Sequence, residues 1–114
     1  TTLGTSDTAE LDLSGAHLSY GDFEEASFQA KHTINLNGAG LAHADLSGAR
    51  LTAGGDDIWG YNGIDFSEAN LTSADLSGSE LTVTHWLFGS STIDFTEANL
   101  ANADLSGWKL TAGT

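Results

Sequence analysis

The five-residue stretch Ala-Asp-Leu-Ser-Gly occurs three times in this chain, at residues 44–48, 74–78 and 103–107. A fourth stretch, Gly-Asp-Phe-Glu-Glu at residues 21–25, retains only the outline of the motif. The three identical copies begin 30 and 29 residues apart, although the motif itself is five residues long. Self-similarity of this kind indicates a repeat architecture, in which each unit buries its apolar face against its neighbours.

The large apolar residues around these motifs follow a period of five. They form four sets of four, and every step within a set is five residues. A smaller inward candidate, usually Ala, lies two residues before most members of the sets. The sets are Leu13, Leu18, Phe23 and Phe28; Leu36, Leu41, Leu46 and Leu51; Phe66, Leu71, Leu76 and Leu81; and Phe95, Leu100, Leu105 and Leu110.

A period of five is neither the 3.6 of a helix nor the 2 of an ordinary strand. It fits a chain that runs extended for three residues and turns a corner over the next two. Four such sides close a square coil of about 20 residues, and successive coils stack at a strand spacing of about 4.8 Å. Corresponding members of the four sets are then predicted to form interior columns. Small Ala beside large Leu suits the dense packing of such a narrow interior.

The motifs resemble the pentapeptide-repeat family, whose consensus is Ala-(Asp/Asn)-Leu-x-x. The resemblance rests on the Ala-Asp-Leu-Ser-Gly copies, on Ala-Asn-Leu-Thr-Ser at residues 69–73 and on Ala-Asn-Leu-Ala-Asn at residues 98–102. It implies an all-β fold, a right-handed quadrilateral β-helix of about four coils, over residues 11–114. Residues 1–10 would be a separate N-terminal segment that acts as a junction or a cap.

Three insertions interrupt the period, and all three follow the fourth side of a coil. The steps from Phe28 to Leu36, Leu51 to Phe66 and Leu81 to Phe95 are 8, 15 and 14 residues. The insertions, at residues 30–33, 54–63 and 84–92, are therefore predicted to project as loops from one edge. Their candidate ligand-binding residues, for a polysaccharide or a protein, are Trp59, Tyr61, Trp86, Phe88 and His85. The alternative is that Ile58, Trp59, Leu87 and Phe88 form a small core for the loops themselves.

The insertions give little support to catalysis or metal binding. His32, His85 and Asp57 lie among them, but no nucleophile–base spacing accompanies them, so we expect neither an enzyme nor a cofactor. Asp56 and Asp57 could offer oxygen ligands to a hard cation, although solvation of an exposed loop explains them better.

Composition restricts the partners. The net charge is -13 with three basic residues, which argues against direct nucleic-acid binding. No apolar run approaches the roughly 20 residues that cross a bilayer, so membrane insertion is not expected. Rows of outward Asp, such as those led by Asp12 and Asp22, are ordinary in this consensus. Since the resembled family includes DNA-mimicking gyrase binders, mimicry towards a topoisomerase is a second alternative.

The two ends of the coil stack suggest self-association. A solenoid needs polar caps on its terminal coils, and the last predicted coil ends close to Thr114. Residues 1–10 resemble a fourth insertion, so that the end of one chain could continue into the start of the next. The sequence therefore predicts a structural protein, extracellular or at the cell surface, that joins head to tail into a filament or longer array. The predicted interface residues are Leu13, Leu18, Phe23, Phe28, Phe95, Leu100, Leu105, Trp108 and Leu110.

Overall fold

The computed structural model describes residues 2–5, 7–55 and 61–113, and these residues form an all-β structure. Their strands are short and pair in parallel. In chain order they are β1 (Thr2–Leu3), β2 (Glu10–Asp12), β3 (Ser27–Ala30), β4 (Thr33–Asn35), β5 (Arg50–Ala53), β6 (Tyr61–Asp65), β7 (Glu80–Thr84), β8 (Ser90–Asp94) and β9 (Lys109–Gly113).

The strands lie on two sides of a four-sided coil. Side 1 is a sheet of order β2-β4-β6-β8, and side 4 is a sheet of order β1-β3-β5-β7-β9. Sides 2 and 3 are rows of isolated parallel bridges, one running from His17 to Asn99 and the other from Asp22 to Asp104. The predicted quadrilateral β-helix is thus confirmed. We number its coils 1 to 4, over residues 10–30, 33–53, 61–84 and 90–113.

The core consists of the columns predicted from the period of five. Members in coils 2 and 3 are buried, as for Leu71 and Leu81, each 0% exposed. The rings of Phe66 and Phe95 stack within one column, with centroids 5.0 Å apart and an interplanar angle of 2°. The period did not reveal a further inward column on side 4, formed by Ala30, Ala53 and Val83.

Every corner between two adjoining five-residue sides requires a left-handed residue. Positive φ recurs at intervals of five in all four coils, and non-glycine residues such as Glu68 and His43 adopt it as well as glycine. The corner residues are Gly15, Tyr20 and Glu25; Gly38, His43 and Gly48; Glu68, Ser73 and Gly78; and Glu97, Asn102 and Gly107. Because this region disfavours most side chains, the neighbouring contacts must hold it in place.

The Asp and Asn residues of the motif provide one such contact. The Oδ1 atom of Asp45 accepts hydrogen bonds from the backbone N–H of Ser47, at 3.0 Å, and from its hydroxyl, at 2.6 Å. The same turn recurs at Asp75 with Ser77 and at Asn70 with Thr72. This side-chain turn mimics a backbone turn and so fixes the corner that follows it.

The same contacts stabilise the ionised carboxylates. Hydrogen bonds from the Ser47 hydroxyl and backbone N–H lower the pKa of Asp45 below its usual value. The pKa of Asp104 is lowered in the same way by the hydroxyl and N–H of Ser106. Asp12 and Asp94 have lowered pKa values for the same reason.

The insertions all lie at the edge between side 4 and side 1, as predicted, but their loops are shorter than the spacing suggested. Strands β6 and β8 begin at Tyr61 and Ser90, and β7 runs to Thr84, so strand pairing takes up much of each insertion. Among the described residues, 54–55 and 85–89 lie outside the strands, and the first insertion is reduced to Lys31 and His32.

A buried column residue should contribute far more stability than its counterpart at the end of the stack. We predict that Leu81→Ala lowers the free energy of unfolding by about 2–5 kcal/mol, because it leaves a cavity. Leu110→Ala, in the same column but 43% exposed, should cost less than half as much. Urea denaturation of dilute protein checks this. Equal losses from both substitutions would contradict the assigned packing.

The turn-forming carboxylates should make stability depend on acid. Because their folded pKa values are depressed, their contribution is complete above the unfolded pKa near 3.8 and is lost as pH falls through the folded values. Changing all four to Asn keeps the Oδ1 acceptor, as Asn70 shows, but removes the titration. We predict a flatter loss of stability below about pH 4 for Asp12→Asn/Asp45→Asn/Asp94→Asn/Asp104→Asn than for the unmodified chain. Parallel pH profiles would contradict it.

Candidate interaction surfaces

The insertion edge carries a group of exposed apolar side chains. Tyr61 is 73% exposed, Trp86 51%, Leu87 55% and Phe88 63%. Three of them are consecutive in the connection between β7 and β8, where Leu87 has a positive φ. Tyr61, Trp86 and Phe88 were predicted here, whereas Leu87 was not predicted to be exposed. Trp59, Asp56 and Asp57 lie outside the described residues.

Buried polar contacts fix the base of this edge. Asn62, which is 4% exposed, donates through Nδ2 to the carbonyl oxygen of Thr84 at 2.6 Å. Its Oδ1 lies 3.1 Å from Nδ1 of His32. One amide side chain therefore joins residues of all three insertions. The sequence did not predict the role of Asn62, because it placed residue 62 in a loop and the partners of its side chain lie in the two other insertions.

His85 contacts Ser91 rather than forming a recognisable catalytic group. Its Nδ1 lies 2.6 Å from the Ser91 hydroxyl, which ties the connection to the start of β8. A Ser–His pair that acts as a nucleophilic site also needs a third group that orients the histidine. Among the described residues, the hydrogen bond to Ser91 is the side-chain hydrogen bond that His85 makes. His85 also lines an open depression together with Gly55, Thr84 and Trp86. We assign the contact to loop structure.

The outer faces carry the predicted row of Asp residues on side 3 and a further row of charged side chains on side 4. On side 4, Arg50 lies between Ser27 and Glu80, and its Nε is 3.6 Å from a carboxylate oxygen of Glu80. On side 3, the carboxylates of Asp22, Glu24 and Asp45 offer oxygens within 4.8 Å of one another. Since Asp22 and Asp45 also accept turn hydrogen bonds, these rows have a structural role whatever binds outside them.

A stacked aromatic pair occupies another corner of the solenoid. The Tyr20 ring lies 4.8 Å from the His43 ring, with an interplanar angle of 9°, and Tyr20 is 76% exposed. Both residues follow a column member by two positions, in consecutive coils. The spacing of the columns could therefore have predicted that Tyr20 and His43 lie next to each other, but this pair was not predicted.

The end faces expose part of the core. Leu13, Leu18 and Phe23 in coil 1 and Phe95, Leu100 and Leu105 in coil 4 are only partly buried. Side 4 differs between the ends, because Phe28 is 2% exposed beneath Leu3 of β1, whereas Leu110 is 43% exposed. Trp108 is half-buried, and its ring packs against Phe95 with centroids 5.6 Å apart.

The two end faces also carry complementary backbone groups. Along sides 1 to 3, six N–H groups of each coil donate to carbonyl oxygens of the next, as Leu18 does to Gly40 at 2.7 Å. Within the described residues no coil follows coil 4, so its equivalent donors point outward. These are Phe95, Glu97, Leu100, Asn102, Leu105 and Gly107. The equivalent acceptors of coil 1 are the carbonyl oxygens of Asp12, Ser14, His17, Ser19, Asp22 and Glu24.

The repeat itself matches a known family model. The model for pentapeptide repeats, with eight copies, matches residues 61–82, which include β6 and the turns through Asn70 and Asp75. The chain therefore contains pentapeptide repeats of this family's kind. Proteins of this family are generally non-enzymatic and often bind other proteins.

A comparison with solved structures finds a further pentapeptide-repeat protein. It is HetL of the cyanobacterium Nostoc, described as involved in the regulation of heterocyst differentiation. The identity is 24% and the TM-score 0.20, over 90% of this chain. The chain spans 62% of the length of HetL. No curated protein matches the sequence. Within the residues that the structure describes, no helix has the length and apolar character to cross a membrane.

Proposed function

We propose that this pentapeptide-repeat protein is a non-enzymatic structural unit that associates head to tail with further copies of itself. Coil 4 of one copy would continue into coil 1 of the next and extend the solenoid into a filament or longer array. The observation that carries the proposal is the match between outward N–H donors at one end and outward carbonyl acceptors at the other. In a head-to-tail joint these donors and acceptors would keep the parallel register that already joins coil 3 to coil 4.

Apolar burial would supply the main driving force. The columns of coils 1 and 4 are partly exposed, and stacking would place Leu13, Leu18 and Phe23 against their counterparts Phe95, Leu100 and Leu105. Fully burying one such side chain contributes about 1.5–3 kcal/mol. Several partly exposed side chains acting together can exceed the entropic cost of association.

Charge opposes the same contact. Stacking brings Asp104 towards Asp22 of the next copy and Asp94 towards Asp12, in the rows that already run along sides 3 and 1. Two carboxylates at about 4 Å repel by about 1 kcal/mol in water, and salt screens the repulsion. With a net charge of -13, the protein should therefore assemble more tightly as salt or divalent cation is added.

We predict that Leu110→Lys abolishes salt-promoted association and that Leu87→Lys leaves it intact. Both residues are exposed leucines, 43% and 55%, but only Leu110 lies at the end of the stack. Because both substitutions add the same charge, Leu87→Lys controls for the effect of the charge alone. Sedimentation velocity over a range of protein and salt concentrations measures the result. A chain that stays strictly monomeric under all conditions, even when a substitution displaces strand β1, would overturn the proposal.

An extracellular or cell-surface location is part of the proposal. It is supported by the composition, since the chain contains neither Cys nor Met, the residues that oxidants attack most readily. Immunogold labelling of intact source cells tests it. Label confined to the cell interior would remove the extracellular part of the proposal without affecting head-to-tail association.

A second candidate function is binding of a carbohydrate or protein by the insertion edge. The observation that favours it is the concentration of exposed apolar side chains at Tyr61, Trp86, Leu87 and Phe88. Contiguous exposed apolar surface on a soluble domain marks interaction sites. Buried Asn62 holds the base of this edge in a fixed arrangement, which reduces the ordering cost of binding.

A matched pair of tyrosines distinguishes binding at the insertion edge from nonspecific binding to exposed aromatic side chains. Tyr61 and Tyr20 are 73% and 76% exposed, but only Tyr61 lies at the insertion edge. If a polysaccharide binds there, we predict that it changes tryptophan fluorescence and that Tyr61→Ala weakens binding by about tenfold, the loss of about 1.4 kcal/mol. Tyr20→Ala should leave affinity unchanged. Equal losses, or no response to any glycan tested, would argue against glycan binding.

A further inference from the structure

Side 4 contains one more strand than side 1. Strand β1 pairs with β3 through Thr2 with Ser27 and Leu3 with Phe28, so side 4 has five strands and side 1 has four. Side 2 also has four members, which are His17, Gly40, Asn70 and Asn99. Strand β1 therefore lies where the fourth side of a preceding coil would lie.

In a head-to-tail stack, that place belongs to a different strand. If coil 4 of one copy is followed directly by coil 1 of the next, β9 must pair with the outer edge of β3. Its Leu110 would then cover Phe28 of the next copy, as Leu51 covers Leu81 within the chain. But Leu3 already covers Phe28. Strand β1 of one copy and β9 of another cannot occupy the same edge.

Retaining β1 would leave the stack incomplete. Strand β9 would then pair with the outer edge of β1, and sides 1 to 3 would be separated by two strand spacings, about 9.6 Å, instead of one. The partly buried Leu18 and Leu100 would face a gap in place of a neighbour. The six outward N–H groups of coil 4 would also remain without the acceptors of coil 1.

Strand β9 is the better partner for β3. It pairs with β7 over five residues, whereas β1 pairs with β3 over two. The β9 residues Leu-Thr-Ala-Gly repeat residues 51–54, and Gly113 has the same unusual backbone as Gly54, with φ of 142° and 148°. At Gly54 that conformation admits the close approach of Thr84 on the next strand. At Gly113 the corresponding space is open.

We infer that β1 is a removable guard strand, which occupies the edge of β3 until β9 of a second copy replaces it. The inference rests on the proposed head-to-tail association and adds its regulation. The guard strand lowers the fraction of molecules whose coil 1 can accept a partner, and the apparent affinity falls by that fraction. Weakening β1 should therefore promote assembly.

Gly4 offers a point substitution that expels β1 from the full chain. A Cβ atom on Gly4 would clash with the backbone oxygen of Gln29 on β3, and its φ is 74°. Gly38 in coil 2 has a similar φ of 65°, but a Cβ atom added there would meet no other atom within 4 Å, so Gly38→Ala controls for backbone strain away from the end face. We expect Gly4→Ala to assemble at a concentration about tenfold lower or more, and Gly38→Ala to match the unmodified chain.

Disulfide trapping then identifies the partner of β9. The chain has no Cys, so single substitutions are unambiguous. In the exchanged stack, Lys109→Cys on one copy lies beside Ser27→Cys on the next, at about 4.8 Å, within disulfide range. If β1 stays in place, Lys109→Cys lies beside Thr2→Cys, and the position at Ser27 is too distant.

The outcomes separate the two claims. Enhanced assembly of Gly4→Ala with 109–27 crosslinks supports the guard strand. Assembly that Gly4→Ala does not change, or crosslinks from 109 to 2 alone, overturns the guard strand and leaves head-to-tail association standing. If Lys109→Cys crosslinks only to itself, or neither Gly4→Ala nor the unmodified chain assembles, head-to-tail association fails and the guard strand fails with it.

Discussion

Apart from the turns at its corners, such as the bond from Ala39 N–H to the Leu36 carbonyl oxygen, the backbone hydrogen bonds of this solenoid run along its axis, from one coil to the next. The remaining N–H and C=O groups of a coil therefore depend on a neighbour above and a neighbour below. This constraint explains the close register of the columns, because a shift at one side would displace all four. It also explains why the end coils differ from the middle ones. Leu41 and Leu71 are buried between two coils, whereas Leu18 and Leu100 have a neighbour on one side within the described residues.

Side chains serve the same constraint at the corners. Asp45 and Asp75 hold the turn that precedes a left-handed residue, and the resulting rows of carboxylates are a consequence of stacking identical turns. The repulsion within a row is offset by the hydrogen bonds that each carboxylate accepts. The acidic surface of the protein is therefore first a property of its fold. Any use of that surface by a partner would build on groups that the corners already need.

Much of this architecture could be predicted from the sequence, because the coil imposes a strict spacing. The step of five placed Leu36, Phe66 and the other column members correctly, and the irregular steps located the insertions at one edge. The extent of the insertions could not be predicted, since residues such as Tyr61 and Ser90 become strand only through pairing with each other. Asn62 was missed for a similar reason: its burial depends on the Thr84 carbonyl of the same coil and on His32 of the coil before.

Strand β1 was the other feature that could not be predicted from the sequence. Thr-Leu-Gly at residues 2–4 lacks the Ala-x-Leu pattern, and its place on β3 is set by a single leucine over Phe28. That strand decides whether the end of the stack is open.

Electron cryo-microscopy of the assembled protein tests the central claim most directly. The account predicts a filament with a rise of about 19 Å per subunit, four strand spacings of about 4.8 Å, and with one unbroken solenoid along its axis. Filaments joined through the insertion edges or side by side, or particles that stay single at every concentration and salt, would contradict it.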